Sequence, residues 1–174
     1  MNRTLLIIFI LVSSVIYFYA LHQDQPKRVD LVGKPAPVFT LENEEGESIS
    51  LESLRGRVVL VHFWATWCAP CADELPTMAT LLNRFSPEDF ALVAISVDEG
   101  GEKSVEEFRQ KVGFDFPVYL DSDQKVVDFY GTFRLPESYL IDRGGILVRK
   151  IIGPQDWTSP PWISEIEKRL AQGR

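Results

Sequence analysis

Val58 to Ala65 reads VVLVHFWA, an almost unbroken apolar run, and the chain passes directly from it into Cys68–Ala69–Pro70–Cys71 and a stretch of helical spacing. A run this short and this apolar fits a strand buried on both faces. From Ala69 to Phe85 the spacing turns helical, with Leu75, Met78, Leu81, Leu82 and Phe85 on one side. Pro76 falls inside that helix and should kink it. A second apolar run, Phe90 to Val97 (FALVAISV), repeats the strand pattern. Two doubly buried strands joined by a helix point to a sheet with parallel strands covered on both faces.

The remaining segments extend this frame. Val38–Leu41 and Ile49–Leu51, separated by a turn at Glu44–Glu45–Gly46, predict a short hairpin. Glu102–Val112 has the spacing of a charged amphipathic helix, and Phe116–Leu120 that of a short strand. Asp123–Tyr130 reads as a short helix, started by Asp121 or Ser122 as a cap and stopped by Gly131. Ser138–Ile141 and Ile146–Ile152 flank Asp142–Arg143–Gly144–Gly145, a hairpin signal. Pro161–Ala171 closes the chain as a helix, with two prolines at its start. The expected order is hairpin, β-α-β-α-β-α, then β-β-α. The fold class is therefore α/β, a central mixed sheet with helices on both faces.

Thr4 to Leu21 (TLLIIFILVSSVIYFYAL) carries no charge and is just long enough to cross a bilayer core. Cleavage as a signal peptide after Ala20 would put Phe18 where a small residue is preferred. The apolar run is also longer than an ordinary signal-peptide core, so residues 1–21 are expected to be a retained single-pass signal-anchor. Residues 22–32 form a polar tether and residues 33–174 the one soluble domain. Arg3 lies on one side of the segment and Lys27 and Arg28 on the other, so charge barely orients it. The net charge of −7 argues against a nucleic-acid partner.

The two cysteines, Cys68 and Cys71, are the only ones in the chain. A bridge between them closes a tiny loop and constrains little of the unfolded chain, which makes a purely structural role a poor explanation. They lie after the buried strand and at the first turn of the helix. Unpaired amides and the positive end of the helix dipole face Cys68 there and lower its pKa below the ordinary thiol value. A thiolate near neutral pH is the competent nucleophile toward a disulfide. Cys71, one turn further in, is expected to be more buried, and close enough to attack a mixed disulfide through Cys68. Zinc would need two more ligands, and the chain has only His22 in the tether and His62 inside the strand. No metal and no cofactor is expected.

Glu74 lies about one helical turn after Cys71. It is either a carboxylate that exchanges a proton with Cys71 or a solvated helix residue. Trp67, before the nucleophile, is expected to be a surface contact beside the site. His62 is expected under the helix, as a satisfied core histidine rather than a catalytic one.

The segment Phe63–Trp64–Ala65–Thr66–Trp67–Cys68–Ala69–Pro70–Cys71 closely resembles the active-site segment of the thioredoxin superfamily. Gly33–Lys34–Pro35–Ala36–Pro37–Val38–Phe39–Thr40–Leu41, Cys71–Ala72–Asp73–Glu74–Leu75–Pro76 and Leu135–Pro136–Glu137–Ser138–Tyr139–Leu140–Ile141–Asp142 resemble, in the right order, motifs of its membrane-anchored TlpA/ResA-like branch. The resemblance implies a thioredoxin-like fold, with residues 102–120 as a βα-type insertion, and a redox-active Cys68–Cys71 disulfide. It implies Glu74 as the acid–base residue and a cis Leu135–Pro136 bond lying against the cysteines. That loop would offer backbone groups to an extended partner segment. His62 departs from the pattern, standing where thioredoxins carry a buried aspartate, and this leaves Glu74 as the better proton route.

The expected activity is thiol–disulfide exchange, with Cys68, Cys71 and Glu74 catalytic and Trp67, Leu135 and Pro136 contacting substrate. The expected partners are a protein carrying a disulfide or dithiol, with apocytochrome c as one client class implied by the resemblance, and an upstream membrane electron donor. A monomer is expected, anchored in the cytoplasmic or inner membrane with its catalytic domain on the periplasmic side. Two alternatives stand beside this reading. One is peroxiredoxin-like peroxide reduction, although the Thr, Cys and Arg spacing of those enzymes is missing. The other is a redox or copper-binding module without catalysis.

Overall fold

The computed structural model describes residues 3–23, 30–43 and 45–172. The first element is a continuous helix, α1 (Arg3–Gln23), with Phe9, Val15, Ile16 and Tyr17 among its exposed side chains. Its side chains are described only between residues 7 and 19. Over the described residues, no helix is long and apolar enough to cross a membrane. Most of the expected tether, residues 24–29 with Lys27 and Arg28, and Glu44 of the first turn lie outside the described residues.

The hairpin β1 (Thr40–Glu42) and β2 (Ser48–Ser50) pairs antiparallel and runs into a 3-10 turn, Leu51–Leu54. That turn is missing from the sequence reading. Ser50 caps it by accepting a hydrogen bond from the Glu52 amide. The alternation then follows the expected order: β3 (Val58–Trp64), α2 (Ala69–Leu82), β4 (Phe90–Ser96), α3 (Gly101–Val112), β5 (Val118–Leu120), α4 (Lys125–Tyr130), β6 (Glu137–Ile141), β7 (Leu147–Ile152) and α5 (Pro160–Ala171). The sheet order is β5-β4-β3-β6-β7. β3, β4 and β5 are parallel, while β6 runs antiparallel to both β3 and β7.

β3 is the centre of the sheet and every one of its residues is buried. Its side chains alternate between two faces. His62 meets Glu74 of α2, and Trp64 meets Phe108 of α3 at 5.6 Å. Phe63, on the other face, meets Tyr130 of α4 at 5.5 Å and Tyr139 at 5.7 Å. α5 lies near α2, where Arg84 pairs with Glu167 at 3.5 Å. Helices thus cover both faces, as doubly apolar strands require.

Several boundaries differ from expectation for local reasons. β5 starts at Val118, because Pro117 has no amide to give a ladder. The helix after Cys68 ends at Leu82 rather than Phe85, with Asn83 as its cap, and it runs through Pro76. Neither Asp121 nor Ser122 is the N-cap residue of α4. That position is Gln124, held at φ 57°. Asp121 reaches the helix start from further back, its carboxylate accepting from the amides of Val126 (3.1 Å) and Val127 (2.8 Å).

Candidate active site

The site is built where β3 ends and α2 begins. Cys68 is the N-cap residue of α2, with extended backbone, and its carbonyl accepts from the amides of Cys71 (3.0 Å) and Ala72 (3.3 Å). Pro70 sits in the first turn, where a missing amide costs nothing. Cys68 and Cys71 form a disulfide. Cys71 is completely buried, and Cys68 keeps only 6% exposure. The order of accessibility is as expected, but Cys68 is a nearly buried residue rather than an exposed one. Trp67 beside it is 70% exposed, and together with Pro70, Val97, Val127, Phe133 and Leu135 it lines an apolar cleft of about 570 Å³ that reaches Cys68.

The connection from β3 to the cysteines is held by Asp98. Its carboxylate accepts from the Thr66 amide (2.9 Å), the Thr66 hydroxyl (2.6 Å) and the Ser96 hydroxyl (2.7 Å). The sequence reading overlooks this anchor, which a Thr two residues before Cys68 and an Asp two residues after a strand end only hint at. Removing Asp98 leaves three donors in or near the interior without their acceptor. Asp98→Ala is expected to destabilise the domain by about 2–4 kcal/mol, measured by urea unfolding.

Glu74 is 2% exposed, which removes the solvated-carboxylate reading. One oxygen, Oε2, accepts from the Gln155 amide (2.8 Å) and from the Trp157 indole (3.2 Å). The other, Oε1, lies 3.2 Å from Nε2 of His62. Burial pushes the Glu74 carboxyl up to about 7, with the Gln155 and Trp157 hydrogen bonds opposing it. Burial drives the His62 imidazole down to about 3. Both groups are therefore neutral over the window between those values. Gln155 and Trp157 are also missing from the sequence reading. They sit about eighty residues away on the loop after β7, beyond any local spacing rule.

The Leu135–Pro136 bond is cis, as the resemblance implies. Leu135 lines the cleft, whereas Pro136 is buried and its carbonyl already accepts from the Gly153 amide at 2.9 Å. The Leu135 side of this loop is the part that faces the cleft. Among the described residues there is no group of three or more metal-ligating side chains.

The comparisons with known proteins converge on this geometry. Residues 32–150 match the AhpC/TSA family. The thiol-disulfide oxidoreductase ResA of Bacillus thuringiensis (strain Al Hakam) is 37% identical over 157 residues, covering 88% of this chain and 90% of the relative. ResA of Bacillus subtilis (strain 168) is 39% identical over 121 residues, covering 70% of this chain and 67% of the relative. Among solved structures, a putative thiol:disulfide interchange protein DsbE from Chlorobium tepidum superposes with a TM-score of 0.73 at 28% identity, over 80% of this chain and 98% of that one. StoA from Bacillus subtilis gives 0.64 at 27% identity, over 79% and 99%. The fold is thioredoxin-like, and the chain belongs to the AhpC/TSA family of the thioredoxin superfamily, among the ResA-type thiol–disulfide oxidoreductases.

Proposed function

We propose that this chain is a membrane-anchored reductase that passes electrons from the Cys68–Cys71 dithiol to disulfides of exported proteins, with apocytochrome c as a client class. The observation that carries this reading is a Cys68–Cys71 disulfide at a helix start, opening onto an apolar cleft beside the exposed Trp67. Such a cleft suits an extended, partly unfolded client segment laid along Leu135 and stacked on Trp67. The anchor proposed is the uncharged eighteen-residue stretch Thr4 to Leu21 of the sequence; the described part of α1 alone is not long and apolar enough to span, and the side chains outside residues 7–19 lie beyond that part. The anchor would hold residues 33–174 at the outer face of the cytoplasmic membrane, where an upstream membrane donor re-reduces the pair.

The cycle balances in two exchanges. The Cys68 thiolate attacks one sulfur of the client disulfide, forming a Cys68–client bond and releasing the other client sulfur as a thiolate. Cys71 then gives its proton to the Glu74 carboxylate and attacks Cys68. The Cys68–Cys71 bond forms, the mixed disulfide breaks and the second client thiolate leaves. One client disulfide is reduced and one dithiol of this chain is oxidised.

The family match favours one second reading, peroxide reduction by the same Cys68. The test is to express the full chain as Cys71→Ser and isolate membranes under acid quench. A disulfide-linked adduct through Cys68, released by dithiothreitol and containing a c-type apoprotein, is expected. A chain that yields no adduct, yet consumes hydrogen peroxide catalytically or binds copper stoichiometrically without reducing insulin, would contradict the proposal.

A further inference from the structure

We infer that His62 is a positioning residue for Glu74, a neutral imidazole whose two tautomers match the two protonation states of that carboxyl, with the Ser138 hydroxyl turning to follow. The inference deepens the reading of Glu74 as the group that takes the Cys71 proton, and rests on it.

The geometry is a buried chain of three side chains from three elements. Ser138 of β6 stands opposite His62 of β3 in the ladder, and its hydroxyl is 2.8 Å from Nδ1. Nε2, on the other side of the ring, is 3.2 Å from Oε1 of Glu74 in α2. All three residues are at most 3% exposed. Oε2 already holds the Gln155 and Trp157 donors, so Oε1 is the oxygen left to carry or lose the proton. Nε2 and Oε1 face each other without the alignment of a formed hydrogen bond, and neither has another partner. Buried polar atoms at that distance are poised to bond after a small rotation, because an orphaned pair costs more than the rotation does.

Each charge state then has a complete network. When Glu74 is protonated, Oε1–H donates to a bare Nε2, and Nδ1–H donates to Ser138. When Glu74 is ionised, Nε2–H donates to Oε1, and the Ser138 hydroxyl donates to Nδ1. A hydroxyl can serve either way, since it both donates and accepts. Burial keeps the ring itself uncharged throughout, which makes the pair a matched donor–acceptor rather than a salt bridge.

No other charge intrudes on this face. Along α2 the titratable neighbours are the Cys71 thiol of the reduced protein and Asp73, which is exposed. Glu137 and Tyr139 of β6 alternate to the opposite face, where Glu137 meets Lys150 at 3.1 Å. β4 places Ala94 beside His62, and Asp98 beyond its end is occupied by Thr66 and Ser96. α3 turns Val105 inward and α5 turns Ile163 and Ile166 inward, while Glu165 of α5 pairs with Arg149 and Arg169.

The test follows the Glu74 carboxyl by carbon NMR in the full chain in detergent, assigned by the resonance lost in Glu74→Gln. The pH profile of mixed-disulfide release is measured in parallel. His62→Leu removes a donor that bonds the charged form most strongly, so the Glu74 midpoint should rise by about one unit or more. His62→Gln, whose amide reaches the place of Nε2 and can donate or accept by flipping, should restore it to within about half a unit. Ser138→Ala should move the midpoint the other way, because a bare Nδ1 is cheaper to bury than an orphaned N–H, which favours the tautomer that donates to Glu74. If His62→Leu fails to fold, Ser138→Ala and His62→Gln still decide the question. A midpoint unmoved in Ser138→Ala, or a His62→Gln protein that folds but does not hold the parent midpoint, would overturn the inference. If the NMR midpoints shift as expected while the release profile does not, the pairing stands and the role of Glu74 in Cys71 proton transfer fails instead.

Discussion

Replacing Cys68 with Ser is expected to lower disulfide-exchange turnover by at least about a thousandfold, because Cys71, the other thiol, is completely buried and out of reach of a client disulfide. The serine hydroxyl at that position would meet the same helix-start amides and dipole, but it does not ionise near neutral pH. Cys71→Ser should behave differently. Its first exchange should proceed at close to the parental rate, and the adduct should then persist for want of a resolving thiol. The two variants therefore separate a nucleophile from a resolver, a distinction their common disulfide conceals. The accessibility difference supports that order, since Cys71 has no exposed surface and Cys68 a little. Alkylation of the reduced chain, followed by mass spectrometry at each cysteine over time, checks it. Modification of Cys71 ahead of Cys68 would reverse the assignment.

Glu74→Gln is expected to stabilise the oxidised protein at alkaline pH, although Glu74 lies 3.2 Å from a histidine. The sign follows from where the proton sits. Burial raises the folded-state value from 4.5 to about 7. Between those values the folded state holds a proton that the unfolded state has released, so stability falls as pH rises through the window. Above about 7 both states are ionised and the whole cost of burying the charge is present. At about 1.4 kcal/mol per unit, that cost is at most about 3–4 kcal/mol. Gln keeps an acceptor for Gln155 and Trp157 and carries no charge. At pH 4 the variant and the parent should therefore unfold alike, and by pH 8 the variant should gain about 2–3 kcal/mol relative to the parent, several degrees in Tm. Denaturant unfolding across that range checks the difference. A variant less stable than the parent at pH 8 would show a stabilising ion pair instead. The same substitution should slow release of the mixed disulfide, so stability and exchange rate move in opposite directions.

Much of this fold is legible along the chain because its strands are doubly buried. VVLVHFWA and FALVAISV announce themselves by composition, and Gly113 and Gly131 close α3 and α4 in the left-handed conformation that favours glycine. Cys68 and Cys71 are equally legible, since their chemistry depends on a helix start that local spacing predicts. The surroundings of Glu74 are not. Its burial depends on Trp157 and Gln155 from the loop after β7, and on His62, whose neighbours Glu74 and Ser138 come from α2 and β6. Such contacts are made by topology, and a period of 2 or 3.6 residues carries no information about them. His62 illustrates the cost. Read alone it is a core histidine, and it is one, but its place in the ladder turns it toward the Glu74 carboxyl, one helical turn after Cys71. Asp121 shows a smaller difference: it caps the first amides of α4, as the sequence suggests, but from three residues before the N-cap residue Gln124.

Transfer of two electrons from the Cys68–Cys71 dithiol to a protein disulfide is the step on which the proposed function stands. It is tested most directly by a single turnover of the fully reduced full chain in detergent against an oxidised protein carrying one accessible disulfide, quenched with acid and read by intact mass and peptide mapping. The Cys68–Cys71 disulfide is expected to form in step with client thiols, two per oxidised chain, through a transient adduct at Cys68. Recovery of both cysteines still reduced alongside an intact client disulfide, under conditions where dithiothreitol reduces that client, would contradict it.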